Sequence, residues 1–231
     1  MLPDLRSQQG PHVFVTDLGQ PEIGDDDRHH LTKSLRLRDG DALTLSDGRG
    51  AWCTARFGDT VEVAGAIHSV APPPYDLELA IALTKAAKPE LAVQKATEIG
   101  IDTIFVFEAT HSVARWDAAK REKNQQRLER VAREAAMQSR RVTIPTITVV
   151  GQLAEIDNTH PMARADFGGV PLFCGDFEDP RCVVVGPEGG WSTAEAALVP
   201  DTVDLGPTVL RAETAAIVAA AFLASHRTRV G

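Results

Sequence analysis

The chain has 231 residues, 43% of them hydrophobic, which is enough for one large domain or two modest ones with buried cores. Its longest uncharged apolar run, residues 215–224, is far shorter than the roughly 20 residues of a membrane helix. Its three cysteines, Cys53, Cys174 and Cys182, lack the spacing of a disulfide framework or a zinc site. We therefore expect a soluble cytoplasmic protein without a metal. The net charge of −8 opposes general attraction to nucleic acid, because phosphate binding depends on Lys and Arg.

The first seventy residues predict a small β-barrel. Short runs of alternating apolar and polar residues are separated by turn sequences such as Asp47-Gly48 and Gly58-Asp59. The predicted strands cover residues 12–15, 42–45, 51–57 and 60–63. One helical segment, residues 29–37, interrupts them, because Leu31, Leu35 and Leu37 can share a face.

A linker is predicted at Ala71-Pro-Pro-Pro-Tyr75, since consecutive prolines are stiff and cannot donate hydrogen bonds to a sheet. We therefore place one domain at residues 1–71 and a second at 72–231. Strands and helices alternate in the second domain, which predicts a parallel sheet covered by helices on both faces. Its predicted elements are strands at 77–83, 103–107, 146–150, 170–174, 182–185 and 203–205, helices at 89–99 and 117–139, and a last helix that ends at about residue 226.

The segment from His111 to Arg141 is the basic part of this acidic chain. It contains nine Lys and Arg against four Asp and Glu. Charge alone favours a solvated helix face with pairs such as Glu129 and Arg133, and a track for RNA is the alternative.

Glycine turns follow two of the predicted strands. Gly186-Pro-Glu-Gly-Gly190 precedes Ser192 and Glu195, whose spacing predicts a helix capping box, and Gly206-Pro207 follows the next strand. Ligands of parallel sheets bind at the carboxyl ends of strands. Neither a Walker loop nor a dinucleotide fingerprint fits, and Glu188 would repel phosphate, so the pattern favours a nucleoside or a sulfonium. The alternative is that these glycines only form tight turns.

Taken together, these loops resemble a known family. Residues 186–192 with Glu195, followed by Leu205-Gly-Pro-Thr-Val-Leu-Arg-Ala-Glu-Thr-Ala215, resemble the S-adenosylmethionine signature of the SPOUT methyltransferases. The best match is the small-subunit (16S) ribosomal RNA uridine-N3 methyltransferase family, and the resemblance continues in residues 29–41, 91–100 and 134–141. Two positions depart from the family pattern: His111 replaces an arginine, and Arg140 replaces a glycine.

The resemblance implies an α/β fold with an N-terminal PUA-like β-barrel, a C-terminal SPOUT domain containing a trefoil knot, and a homodimer. From composition alone we would draw an unknotted sheet. The family methylates N3 of a uridine, with S-adenosyl-L-methionine as cofactor and small-subunit ribosomal RNA, in the assembled subunit, as partner. The implied cofactor site consists of Gly186, Pro187, Glu188, Gly189, Gly190, Leu205, Gly206, Leu210, Thr214 and Ala215.

Arg211 and Glu213 are the candidate catalytic residues, because they fall inside the signature and could hold a uracil carbonyl and assist proton removal. An ordinary ion pair at a helix N-terminus is the alternative. Candidate RNA-binding residues are Arg36, Arg38, Lys85, Lys95, Arg115, Gln138 and Arg141. Glu98 could be structural and pair with Lys95 or with a neighbouring helix. Two other functions stay open: a non-catalytic RNA-binding ribosome assembly factor, and an oxidoreductase with a diverged nucleotide loop.

Overall fold

The structure is a computed structural model in which residues 4–84, 89–157, 160–172 and 181–230 are described, with side chains described up to Arg227. The chain forms two compact units. The first unit consists of Met1–Pro73 together with Glu134–Ile144, and the second consists of Pro74–Arg133 together with Pro145–Gly231. The segment 134–144 was assigned to the second domain in the sequence analysis, whereas its contacts group it with the first unit.

The first unit contains a five-stranded sheet. Its strands are β1 (His12–Phe14), β2 (Ala42–Ser46), β3 (Ala51–Arg56), β4 (Glu62–Val63) and β5 (His68–Ser69). Strand β1 pairs with β2 in parallel, β2 pairs with β3 antiparallel, and β3 pairs antiparallel with both β4 and β5. Within the described residues these pairings form an open sheet and do not close into a barrel.

The helical segment of the first unit begins four residues earlier than predicted. Helix α1 spans Asp25–His29 and continues as a π-helical turn over His30–Ser34. The early start places three aspartates in the first turn, where the positive end of the helix dipole favours them. Leu31 is buried, but Leu35 is 45% exposed and Leu37 lies beyond the helical turns, so the predicted shared leucine face is not formed.

The segment Glu134–Ile144 completes the first unit through backbone hydrogen bonds. The Val142 carbonyl accepts one from the Ser46 hydroxyl at 3.0 Å and one from the Gly50 amide at 3.1 Å. The Arg141 carbonyl lies 3.0 Å from Nε2 of His12, a buried residue of β1. This sheet is therefore hydrogen-bonded, at β1, β2 and the turn before β3, to a segment that is distant in sequence.

The second unit is built on a six-stranded parallel sheet, as predicted. Its spatial order is β11-β9-β10-β6-β7-β8, and every pairing is parallel. The strands are β6 (Glu78–Ala82), β7 (Thr103–Phe107), β8 (Thr146–Val149), β9 (Met162–Pro171), β10 (Cys182–Val185) and β11 (Thr202–Asp204). Strand β10, the predicted source of the first glycine loop, therefore lies in the interior of the sheet.

Strand β9 was misplaced in the sequence analysis, which predicted residues 170–174. The strand begins eight residues earlier, and Phe173 and Cys174 lie outside the described residues. Gly168 and Gly169 opposed a strand assignment there, because glycine weakens strand interiors. A Cβ at Gly169 would lie 2.8 Å from backbone atoms of Thr202 and Val203, so this glycine allows β11 to approach closely.

Four further helices complete the chain: α2 (Pro89–Ile99), α3 (Ala118–Gln138), α4 (Thr193–Leu198) and α5 (Ala212–Val230). Helix α5 packs against α2, β6 and β10. It buries small side chains, including Ala216, Ala219 and Ala220, which permit this close packing. None of the helices in the described part of the chain is long and apolar enough to cross a membrane.

Candidate functional site

The two predicted glycine loops meet at the carboxyl ends of β10 and β11, where they line a cavity of about 290 Å³, called here the second-unit cavity. Their side chains and backbone form most of its wall, and the first turn of α5 closes one side. Eight of the ten predicted cofactor residues line it: Gly186, Pro187, Glu188, Gly190, Leu205, Gly206, Leu210 and Ala215. The loops that the sequence analysis singled out separately therefore form one site.

The other four predicted residues of this region lie outside the lining. Gly189 packs against His111, since a Cβ on this glycine would lie 2.9 Å from the His111 Cβ. Thr214 and Arg211 are exposed, and Glu213 is half-buried. Arg211 and Glu213, both of which are described, do not form the ion pair that the sequence analysis offered as the alternative to catalysis. In the described structure, neither side chain is therefore occupied by an ion pair with the other.

Strand β9 supplies the part of the cavity that sequence reasoning missed. Ala165, Asp166 and Phe167 line the cavity, and Phe167 is 64% exposed. These residues escaped notice because the predicted strand began at Val170. The paired glycines after Phe167 were the available indication that another backbone approaches at this point.

Trp191 forms one wall of the second-unit cavity. Its indole Nε1 donates a hydrogen bond to the Ala165 carbonyl at 3.0 Å, and the ring packs on a buried apolar cluster. A Cβ at Gly186 would lie 2.8 Å from two carbon atoms of the ring. The loop therefore needs glycine at position 186 so that the indole can lie across it.

The predicted capping box is confirmed, and it also anchors a neighbouring loop. The Ser192 hydroxyl accepts the Glu195 amide, and the Glu195 carboxylate accepts the Ser192 amide at 3.0 Å. The same carboxylate accepts the Thr110 amide at 2.8 Å. Burial raises the pKa of Glu195, but the hydrogen bonds from Ser192 and Thr110 outweigh it and lower the pKa overall. Glu195 is therefore held as a carboxylate.

The loop after β7 packs against the first glycine loop. Nδ1 of His111 lies 3.1 Å from the Gly190 carbonyl, to which it donates. Arg115, predicted to contact phosphate, donates to the Ala109 and Thr110 carbonyls at 2.7 and 2.9 Å. Arg115 thus stabilises this loop, and a phosphate contact would have to use the remaining guanidinium surface.

Negative groups dominate the lining of the second-unit cavity. Asp166, Glu188 and Asp204 line it, and no Lys or Arg occurs among the lining residues that the structure describes. Asp204 accepts the Gly206 amide at 2.9 Å and the Gly168 amide at 3.2 Å, and Asp166 pairs with Arg164 at 3.3 Å. Carboxylates favour a cationic ligand and can accept hydrogen bonds from hydroxyl groups, whereas they repel phosphate. The cavity therefore fits a sulfonium or a nucleoside.

The remaining predicted RNA-binding residues lie in both units. In the second unit, Lys95 pairs with Glu98 at 2.8 Å, as the alternative interpretation required, and Lys85 lies outside the described residues. In the first unit, Arg36 and Arg38 are exposed, Gln138 is the last residue of α3, and Arg141 follows that helix. Arg141 donates to the Thr143 hydroxyl at 3.4 Å.

The sequence matches two families of known domains. Residues 71–224 match the RNA methyltransferase domain, and residues 23–60 match the RNA methyltransferase PUA domain. The first match covers more than half of the chain. The chain belongs to the RNA methyltransferase family.

Individual relatives agree with this assignment. The chain is 34% identical to ribosomal RNA small subunit methyltransferase E of Mycobacterium tuberculosis, over 89% of this chain and 86% of the relative. A crystal structure of a probable rRNA-methyltransferase from Porphyromonas gingivalis is 29% identical and superposes with a TM-score of 0.77, covering 96% of this chain and 100% of that one.

A second solved structure shares the fold and contains a ligand. Ribosomal RNA small subunit methyltransferase E from Neisseria gonorrhoeae, bound to S-adenosyl methionine, superposes with a TM-score of 0.80 at 22% identity, covering 94% of this chain and 98% of that one. The fold that forms the second-unit cavity is therefore shared with a protein that binds this methyl donor.

Proposed function

We propose that this RNA methyltransferase transfers a methyl group from S-adenosyl-L-methionine to N3 of a uridine in small-subunit (16S) ribosomal RNA. The observation that carries the proposal is the second-unit cavity, whose two glycine loops bear the family signature and whose charged lining is acidic. An acidic, glycine-rich cavity suits a positively charged nucleoside better than a dinucleotide, which disfavours the oxidoreductase alternative.

The residues of the cavity fit S-adenosylmethionine as the cofactor. Backbone groups of Gly186, Gly190 and Gly206 are accessible to an adenosine, and Glu188, Asp166 and Asp204 can accept hydrogen bonds from ribose hydroxyls or an amino group. Bound S-adenosylmethionine would supply an electrophilic methyl group for in-line displacement. The apolar side chains of Leu205, Leu210 and Val209 would exclude water from this reaction.

Arg211 and Glu213 remain the proposed catalytic residues. They flank Ala212, which lines the cavity: Arg211 immediately precedes α5, and Glu213 lies in its first turn. The guanidinium of Arg211 would hold a uracil carbonyl and stabilise the negative charge that develops when N3 loses its proton. Glu213, near the positive end of the helix dipole, would orient the base or accept that proton.

The other expectations from the resemblance belong to the same proposal. They are a PUA-like RNA-binding domain over residues 1–71, a SPOUT domain over residues 72–231 with a trefoil knot, a homodimer, a cytoplasmic location, and an assembled subunit as substrate. RNA contacts by Arg36, Arg38, Lys85, Lys95, Arg115, Gln138 and Arg141 are part of it. The five-stranded sheet and the basic helix α3 are compatible with these RNA contacts.

The proposal is tested by incubating the protein with labelled S-adenosylmethionine and small ribosomal subunits that lack the modification, followed by nucleoside analysis of the rRNA by mass spectrometry. N3-methyluridine is the expected product. Tight binding to the subunit without label transfer would instead support the assembly-factor alternative. In the same assay Arg211→Ala should lose at least about 100-fold in turnover with cofactor affinity retained, whereas wild-type turnover would refute the role of Arg211.

A further inference from the structure

The first unit contains a cavity of its own, of about 380 Å³, called here the first-unit cavity. It lies between β1, the helical turns around α1, and the end of α3. Its volume falls in the range of about 300 to 1,000 Å³ that is usual for small-ligand sites. Its lining residues are Pro11, His12, Val13, Asp27, His30, Leu31, Leu35, Leu37, Met137, Gln138 and Arg140.

Six of the eleven described lining residues of this cavity are apolar, and the other five are polar or charged. Leu31, Leu37 and Met137 belong to or pack against the core of the first unit, whereas Leu35 is 45% exposed. His30 and Gln138 are exposed and line the cavity. An apolar slot with a few polar groups suits a flat heteroaromatic ring, which has two apolar faces and a hydrogen-bonding edge.

His12 lines the cavity without offering it a free nitrogen. The Arg141 carbonyl can only accept, so Nε2 of His12 carries a proton, and Nδ1 accepts the Thr44 hydroxyl at 2.9 Å. His12 therefore forms part of the wall, and the hydrogen-bonding groups available to a ligand are the exposed ones, His30 and Gln138.

Unpaired cations follow the turn that lines the cavity. Lys33, Arg36 and Arg38 are exposed, and no ion pair or side-chain hydrogen bond of theirs occurs among the described residues. These three cations lie outside the lining, whose own charged residues are Asp27 and Arg140. A ligand seated against Leu35 would therefore meet positive charge immediately outside the cavity, which is the arrangement that a nucleotide's base and phosphate require.

Both strained backbone positions of the described chain flank this cavity. Arg36 has a φ of 58° and Arg140 a φ of 55°, the only non-glycine residues with positive φ in the part of the chain that the structure describes. Arg36 separates the lining residues Leu35 and Leu37, and Arg140 is itself in the lining, its guanidinium bonded to the Leu5 and Gly10 carbonyls. Backbone strain persists where the surrounding structure enforces it, and it is common at binding sites.

From this combination we infer that the first-unit cavity receives one unpaired nucleobase of the RNA substrate. The base lies between the leucine wall and His30, Gln138 contacts its edge, and Lys33, Arg36 and Arg38 contact the adjoining phosphates. The inference rests on the proposed RNA substrate and deepens it, since it gives the first unit a pocket for a base in addition to a charged surface. It also gives Gln138, predicted to bind RNA, a specific place to act.

The direct test is methyl NMR of the full-length protein with labelled Leu, Val and Met methyl groups. The probe is a mixed-sequence single-stranded RNA decamer, compared with the same sequence as a duplex. The single strand should shift the methyl resonances of Leu31, Leu35, Leu37 and Met137, and the duplex should not, because its bases are stacked and paired. No shift at these four residues would overturn the inference, and so would shifts that depend on protein concentration without RNA, which would indicate a second copy in the cavity.

A variant pair separates this site from general surface effects. Leu35→Glu should weaken binding of the decamer about tenfold or more, because it removes the apolar contact and adds a charge that repels phosphate. The matched control is Ile67→Glu in the same unit, since Ile67 is 51% exposed and lies outside the cavity lining. Equal losses in the two variants would contradict the base pocket.

Methyl transfer is measured separately so that the two proposals can fail independently. Leu35→Glu should raise KM for the ribosomal substrate and leave S-adenosylmethionine affinity unchanged. Normal KM in this variant, with methyl transfer intact, would reject the base pocket and leave the proposed function standing. Shifts at the cavity methyls without any methyl transfer by the wild type would support the pocket and reject the proposed function.

Discussion

His111 and Gly190 connect the loop after β7 to the loop that lines the second-unit cavity, through a hydrogen bond from the imidazole Nδ1 to the carbonyl at 3.1 Å. Gly190 has a φ of 75°, a conformation that favours glycine, and its amide also donates to the Pro187 carbonyl at 3.0 Å. The His111 imidazole donates to the Gly190 carbonyl and can therefore orient the loop that lines the second-unit cavity.

Removing the His111 ring should weaken cofactor binding. We expect His111→Ala to raise the Kd for S-adenosylmethionine about five- to tenfold, corresponding to the loss of one hydrogen bond of about 1 kcal/mol. His111→Asn, which places an amide donor close to the position of Nδ1, should restore most of the affinity. Titration calorimetry measures both, with His29→Ala as a control on an exposed helix. An unchanged Kd in His111→Ala would show that the loop holds its shape without this contact.

Glu195 should be important for stability, because it accepts two backbone amides and one hydroxyl. Glu195→Ala leaves the Thr110 and Ser192 amides without this acceptor and removes a helix cap, so the free energy of unfolding should fall by about 1–3 kcal/mol. Urea denaturation measures the change, and Glu122→Ala on the exposed face of α3 is the control. A loss no larger than that of the control would contradict this role.

The same carboxylate predicts an acid dependence. Its folded-state pKa is lowered, so the stability it contributes is present above its unfolded pKa of about 4.3 and is lost as pH falls through the folded value. Unfolding measured between pH 3 and pH 6 should show a smaller decrease in Glu195→Gln than in the wild type. Parallel stability profiles for Glu195→Gln and the wild type would contradict this contribution of Glu195 to the acid dependence.

His12 predicts a second pH dependence, at higher pH. Its pKa is lowered to about 4, mainly by burial. The hydrogen bond to the Arg141 carbonyl opposes this shift, and the positive charge of nearby Arg140 adds to it. Since the unfolded chain binds a proton near pH 6.5 and the folded chain near pH 4, stability should fall as pH drops from 6.5 to 4, by at most about 3 kcal/mol. In His12→Gln the decrease in stability between pH 6.5 and pH 4 should become smaller, whereas His29→Gln should show the same decrease as the wild type. Chemical unfolding monitored over this pH range provides the test.

Gly186→Ala should damage the cofactor site through Trp191. The new methyl group would lie 2.8 Å from the indole ring, so the ring must move and its hydrogen bond to the Ala165 carbonyl is weakened. We expect at least a tenfold loss of S-adenosylmethionine affinity and an altered Trp191 emission spectrum. Gly24→Ala, where the added Cβ would contact nothing within 4 Å, is the matched control. Wild-type affinity in Gly186→Ala would mean that Trp191 does not shape the cavity.

Much of the second unit was predictable because its strands and helices have strong periodicity. Strand β7 matches its predicted bounds, and α3 differs by one residue at each end. Strand β9 was misplaced because its charged and glycine residues are explained only by tertiary contacts: Arg164 donates to the Val199 and Pro200 carbonyls, and Gly169 admits a neighbouring backbone. Asp166 and Phe167, which line the cavity, were missed for the same reason.

The first unit was less predictable because part of it comes from a distant segment. Local patterns indicated β1, β2 and β3, but β5 spans two residues and has no periodicity of its own. Nothing in the sequence around His12 indicates that its ring meets the Arg141 carbonyl, 129 positions later. The first-unit cavity, which needs Met137 and Gln138 from the same segment, could not be assembled from local patterns.

The contribution of Glu134–Ile144 to the first unit has a consequence for biosynthesis. During translation all five strands of this unit are complete once Ser69 has been added, but the Arg141 and Val142 carbonyls that bond His12, Ser46 and Gly50 are added much later. The amino-terminal part should thus reach its final stability only after about half of the remaining chain has emerged. A gene fragment ending at Pro73 would not encode a transferable module, and a fusion protein would have to carry residues 134–144 as well.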